Sequence, residues 1–67
     1  MDIDVRVVII EEIISALSKA GYDPYIQIVS YLESNDLTFI TRKDNARNKI
    51  ARLSQDWVGW YINSNSI

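Results

Sequence analysis

Five of the seven basic side chains, Arg42, Lys43, Arg47, Lys49 and Arg52, fall within eleven consecutive positions, where Asp44 is the one acid among them. An arginine fork grips a carboxylate or phosphate through two parallel hydrogen bonds and a lysine adds a mobile point charge, so the chemistry this run offers is anion recognition. The rest of the chain has the opposite sign. Through Asp36, two basic residues face seven acidic ones, net -5; from Leu37 onward five face two, net +3, and the sum returns -2. A nucleic-acid reader is ordinarily basic as a whole, whereas the isoelectric point here is about 4.8. The run reads either as cations that flank and solvate the apolar stripe of their own helix or as a surface, Arg42, Lys43, Arg47 and Arg52, for an acidic partner protein. A small helix-turn-helix-like nucleic-acid binder is the alternative.

Groups suited to catalysis are scarce. With no cysteine and no histidine, the chain lacks a thiol nucleophile, an imidazole base and a thiolate or imidazole metal site. Glu11 and Glu12, with Asp2 and Asp4, supply carboxylates. Neighbours on a helix diverge by about 100° and no loop brings further oxygens to meet them, so they read as a solvated face. No enzymatic activity, cofactor or metal is expected. Gln27 reads either as a contact for a partner or, preferably, as a hydrogen-bond partner for the turn at Gly21, where helix ends leave backbone groups to satisfy.

The elements that position these groups read as helices. From about Asp4 to Ala20, Ile3, Val7, Ile10, Ile14 and Leu17 recur at three- and four-residue steps, with Gly21 as the C-cap. The β-branched run Val5, Val7, Val8, Ile9, Ile10 also permits a strand over about residues 2–10; helix is the preferred reading. Asp23-Pro24 is a helix start, since Asp accepts from the first unpaired amides and Pro at the first helical position lacks an N–H that would be unpaired anyway. The second helix then runs from about Pro24 to Ser34. Leu37, Phe39 and Ile40 form a short extended arm over the core. Thr41-Arg42-Lys43-Asp44 has capping-box spacing, and a third helix starting there carries Ala46, Ile50, Leu53, Trp57, Trp60 and Tyr61 as one stripe to about Ile62. The tail Asn63–Ile67 is expected to fray.

At 67 residues and 7.7 kDa, one domain spanning 1–67 is expected, burying only about 60% of the surface of its unfolded chain. Without disulfides or metal, the remedy for a small core is self-association. Ile10 and Ile14 on the first helix, with Trp57, Trp60 and Tyr61 near the end, are the expected dimer contacts, because tryptophan and tyrosine concentrate at interface hot spots. No apolar run approaches the ~18 residues of a membrane span, and the acidic opening is unlike a secretory leader. A cytoplasmic location without membrane contact is expected.

The middle of the chain resembles a known family. Gly21-Tyr22-Asp23-Pro24-Tyr25-Ile26-Gln27-Ile28-Val29-Ser30-Tyr31-Leu32-Glu33-Ser34-Asn35-Asp36, followed by Phe39-Ile40-Thr41-Arg42 and by Ala46-Arg47-Asn48 with Ile50, is similar to the signature of the IreB family of small bacterial regulatory phosphoproteins. Gly21, Tyr22, Pro24, Gln27, Ile28 and Val29 carry its most specific positions. The resemblance implies an all-α fold of three to four helices in an intertwined homodimer, without enzymatic activity, from a Gram-positive bacterium. It further implies an adaptor downstream of a transmembrane Ser/Thr kinase, acting through protein contacts on cell-wall precursor synthesis and antibiotic tolerance. Thr41 stands where the family usually has Pro and Lys43 where it often has His, and Gln55–Tyr61 replaces a charged terminal helix. The family's phosphorylated Thr lies in an N-terminal tail. Here the first hydroxyl-bearing residue is Ser15, and no position inherits the phosphosite.

Overall fold

A computed structural model describes residues 2–65, and among these it contains four α-helices, two short 3-10 turns and no strand. Helix α1 spans Val5–Lys19, α2 Pro24–Ser34, α3 Ala46–Ala51 and α4 Gln55–Asn65, with 3-10 turns at Leu37–Phe39 and Lys43–Asn45. The fold is all-α. The β-branched start of α1 is helical because Asp4 caps it: the Asp4 carboxylate accepts from the Arg6 amide at 3.0 Å and its carbonyl takes the Val7 amide.

Each helix end has a local cause. Helix α1 closes in a Schellman motif, in which the Gly21 amide bonds the Ser18 carbonyl and the Tyr22 amide bonds the Leu17 carbonyl. That geometry needs a left-handed residue, and Gly21 sits at φ +91°. At the start of α2, the Asp23 side chain accepts from the Ile26 amide and Pro24 occupies the first turn. Asn35, at φ +56°, ends the helix.

The core gathers Ile10, Ile13, Ala16 and Leu17 of α1, Ile28 and Tyr31 of α2, Ile40, Ala46 and Ile50 of α3, Leu53, and Val58 and Ile62 of α4. Helix α1 packs against α3 and α2, and α2 against α4. The buried stripe of α1 keeps Ile10 and Leu17 of the expected one but adds Ile13 and Ala16, and Ile3, which precedes the helix, is 76% exposed. The folded surface is 4558 Å², near the roughly 4,300 Å² that chain mass predicts.

Three further expectations are corrected. Leu37–Phe39 is a 3-10 turn, not an extended arm, because Asp36 caps it through the Thr38 amide and hydroxyl at 2.9 and 2.7 Å. The third helix is two helices. Arg52 and Leu53 close α3, and Ser54 opens α4 by accepting the Trp57 amide on its hydroxyl and the Val58 amide on its carbonyl. The chain remains helical through Asn65, so the fraying expected from Asn63 does not begin there; Ser66 and Ile67 lie outside the described residues.

Candidate functional site

The basic segment is built on an unusual turn. Thr41 Oγ1 accepts from the Lys43 amide at 3.1 Å, a local turn and not the capping box that the spacing suggested. Asp44 and Asn45 then both adopt left-handed backbone, φ +53° and +62°, a conformation that short polar residues tolerate better than most. The chain thereby reverses before α3 begins at Ala46. Arg42 and Lys43 stand exposed on this turn, and their side chains have no hydrogen-bond or ion-pair partner among the described residues. Arg42, Asn45, Arg47 and Asn48 line a hollow of about 350 Å³. Its Asn48 amide donates to the Asn45 side-chain carbonyl at 2.7 Å. Two guanidinium groups and an amide pair therefore face one concavity with no carboxylate in its lining.

The two arginines of the hollow are not equivalent. Arg47 is half-buried, and its Nε donates to the Ile40 carbonyl at 2.8 Å and the Leu37 carbonyl at 3.0 Å. It is thus tied into the fold through the Nε edge of its fork, while its terminal guanidinium nitrogens make no hydrogen bond among the described residues. Gln27 acts on the same turn, donating from Nε2 to the Phe39 carbonyl at 2.9 Å. The structural role expected for Gln27 is present, with the Leu37–Ile40 segment as partner in place of the Gly21 turn. Lys49 pairs with Glu12 at 3.7 Å. Arg52 is exposed beyond the end of α3.

The residues expected at a dimer contact separate into three groups. Ile10 is fully buried within the chain's own core, so it has no surface to present to a second copy, and its assignment to an interface is corrected. Ile14, Trp57 and Tyr61 are half-buried and pack on the core edge. Trp60 alone is mostly exposed, at 62%. A ladder that sequence reasoning missed joins α4 to α1. The Arg6 guanidinium lies 4.8 Å from the centroid of the Trp57 ring, Trp57 stacks on Tyr61 at 5.2 Å, and Tyr61 Oη donates to Glu11 at 2.6 Å. The Glu11 hydrogen bond, then burial and the nearby negative charge, raise the Tyr61 hydroxyl above its ordinary pKa. Arg6 is itself held by Asp4, whose carboxyl that hydrogen bond lowers below the usual range. The four-residue step from Trp57 to Tyr61 was visible in the sequence; their pairing with Arg6 and Glu11 required the α1–α4 crossing.

Of the family-motif positions, Ile28 is fully buried, Pro24, Gln27 and Val29 are half-buried, and Gly21 and Tyr22 are exposed. Gly21, Pro24, Gln27 and Ile28 thus shape the α1–α2 turn, the start of α2 and its grip on the following loop. A small all-α domain with a basic hollow is the class this arrangement defines. The model of the IreB regulatory phosphoprotein family matches residues 3–58 of the 67-residue chain, and the chain belongs to that family. No helix among the described residues is long and apolar enough to cross a membrane.

Proposed function

We propose that this chain is a non-catalytic adaptor that binds an acidic segment of a partner protein in the hollow formed by Arg42, Asn45, Arg47 and Asn48, with Lys43 and Arg52 at its margin. One observation carries the reading: Arg42 stands exposed at a concavity whose other cation is already anchored. Arg47, anchored through Nε, loses less freedom on gripping a carboxylate than a mobile surface arginine does, and Arg42 adds a second, unpaired fork beside it. Membership of a regulatory phosphoprotein family supports a signalling role in place of catalysis. Control of cell-wall precursor synthesis and antibiotic tolerance in the cytoplasm of a Gram-positive bacterium, as a homodimer, completes the proposal on the strength of that family resemblance. The nucleic-acid alternative draws less support, because α3 has only six residues and the chain is acidic overall.

The test is affinity capture from nuclease-treated lysate with wild type, Arg42→Glu and Lys43→Glu as baits. A protein held by wild type and lost from both variants, whose helical circular dichroism is unchanged, supports the adaptor. Retention of the same proteins by all three would overturn the basic hollow as the contact. Light scattering of the purified chain reads the dimer directly.

A further inference from the structure

A second concavity, a cleft of about 320 Å³, lies where α1, the first turn of α2 and the last turns of α4 meet. We propose that it receives an arginine side chain from a partner polypeptide. It shares no residue with the basic hollow, so it stands independently of the function proposed above.

The lining supplies what a guanidinium-tipped alkyl stem needs. Ile14 and Ile62 offer apolar surface to the methylenes, and the rings of Tyr25 and Tyr61 stand at the same cleft. Planar guanidinium stacks on aromatic rings and is desolvated more readily than ammonium. Glu11 and Asp23 share the lining with Pro24 and Asn65, and no basic side chain is part of it.

Both carboxylates have acceptor capacity to spare. An ionised carboxylate has about four lone-pair positions. Glu11 accepts one hydrogen bond, from Tyr61, and Asp23 accepts one, from the Ile26 amide. Neither is in an ion pair among the described residues. Tyr61 also fixes Glu11 in place, so that carboxylate is prepositioned. Five of the eight lining residues come from the acidic stretch through Asp36, net -5, whose charge draws cations toward the cleft. A polypeptide donor is indicated by the apolar surface beside the mouth: Tyr22 and Ile26, next to the cleft's Asp23 and Tyr25 in the chain, are both more than half exposed. The backbone and neighbouring side chains of a bound peptide would cover them.

The proposal is tested by titrating the 15N-labelled chain with the peptide acetyl-Gly-Gly-Arg-Gly-Gly-amide and with its citrulline counterpart, which keeps the shape and loses the charge. The expected result is saturable shifts at Glu11, Asp23, Tyr25 and Tyr61, with the citrulline peptide about tenfold weaker, the scale of one charge-assisted hydrogen bond. A Glu11→Gln/Asp23→Asn variant should weaken the arginine peptide similarly. Gln still accepts from Tyr61 and Asn still caps α2, so the variant's amide spectrum should remain that of the folded wild type. Equal binding of citrulline, or shifts away from the cleft, would overturn the proposal. A lysine peptide that binds as tightly would overturn the guanidinium assignment. Concentration-dependent shifts without peptide, joining the cleft to Arg42 and Lys43, would replace the partner polypeptide by a second copy.

Discussion

Arg47 Nε lies 2.8 Å from the carbonyl oxygen of Ile40, seven residues earlier, and the same N–H reaches Leu37 O at 3.0 Å. One guanidinium thus satisfies carbonyls at both ends of the turn that carries the chain from α2 toward α3. Ile40 is fully buried, so misplacing this turn would disturb the core. Arg47→Ala should therefore cost about 1.5–3 kcal/mol, the range for a hydrogen bond from a charged donor. That corresponds to roughly 6–20 °C in melting temperature for a domain of this size. Arg42→Ala, at an exposed side chain without internal bonds, should stay within about 0.5 kcal/mol. Thermal melts of the two variants side by side separate an arginine that builds the hollow from one that is offered to a ligand; equal destabilisation would refute the distinction.

Gln27 grips the same turn from α2 through Phe39 O. Because Gln27 and Arg47 hold one segment from two sides, their losses should not add: once either is gone the turn loosens and the other has less to hold. Urea melts of Gln27→Ala, Arg47→Ala and the double variant should show a coupling of about 0.5–2 kcal/mol, as for residues sharing a network. Strict additivity would mean that the two bonds act on independent pieces of backbone.

How far the sequence reveals this fold depends on whether a signal is local. Asp23-Pro24 and Gly21 mark the α1–α2 turn because capping and left-handed backbone are decided within a few residues, and Asp4 and Lys19 bound α1 close to where periodicity put them. The break after α3 was also written locally, in Ser54 ahead of Gln55 and Asp56. The apolar stripe running through that point outweighed it, so the expected third helix ran straight through Ser54, which is a cap. The rotation of α1 that buries Ile13 and Ala16 is set by which helix it meets, which periodicity along a nearly all-apolar face does not specify, and Ile3 is exposed because it precedes the Asp4 cap. The hollow was half legible. A cluster of cations is a composition signal, but that Arg47 is tied to Ile40 while Arg42 is not depends on the left-handed pair Asp44-Asn45, for which no turn of known type was evident.

Ile10 and Trp60 provide a contrast in burial. Ile10 is enclosed by the chain's own core and Trp60 is mostly solvent-facing. Ile10→Ala should cost about 2–5 kcal/mol through lost transfer energy and the cavity left behind, a large fraction of the stability of so small a domain. Trp60→Ala should leave the dilute-solution melt within about 0.5 kcal/mol. If Trp60 instead packs against a second copy, the effect of Trp60→Ala should grow with protein concentration, because association adds stability by mass action. Melts over a hundredfold concentration range decide between the two.

Gly59 occupies the middle of α4, where a residue without a side chain costs helix stability. A Cβ built there meets only Leu32 Cδ1 at 3.8 Å, an ordinary contact, and the backbone is not left-handed. Gly59→Ala should therefore stabilise the chain by about 0.4–1 kcal/mol, partly by restricting the unfolded chain. A raised melting temperature is the expected reading, and a lowered one would show that Leu32 cannot share the space.

Tyr61 links stability to alkaline pH. Its hydroxyl donates to Glu11, and that bond, with burial and the adjacent negative charge, lifts its pKa in the folded state above the ordinary 10.0. A group whose folded pKa is raised binds its proton more tightly in the folded chain. The associated stability is complete below the unfolded value and is lost as pH rises through the folded one. Above that point tyrosinate would face the Glu11 carboxylate at hydrogen-bond distance, and the α4 end of the ladder would be repelled from α1. The absorbance change at 295 nm of wild type minus that of Tyr61→Phe should place the Tyr61 midpoint above 10.0. The melting temperature of wild type should exceed that of Tyr61→Phe at neutral pH and lose this advantage as the phenol ionises. Glu11→Gln preserves an acceptor and removes the charge, so it should bring the Tyr61 midpoint down. A midpoint unmoved by Glu11→Gln would mean that the hydrogen bond and burial, not the negative charge of Glu11, hold the proton.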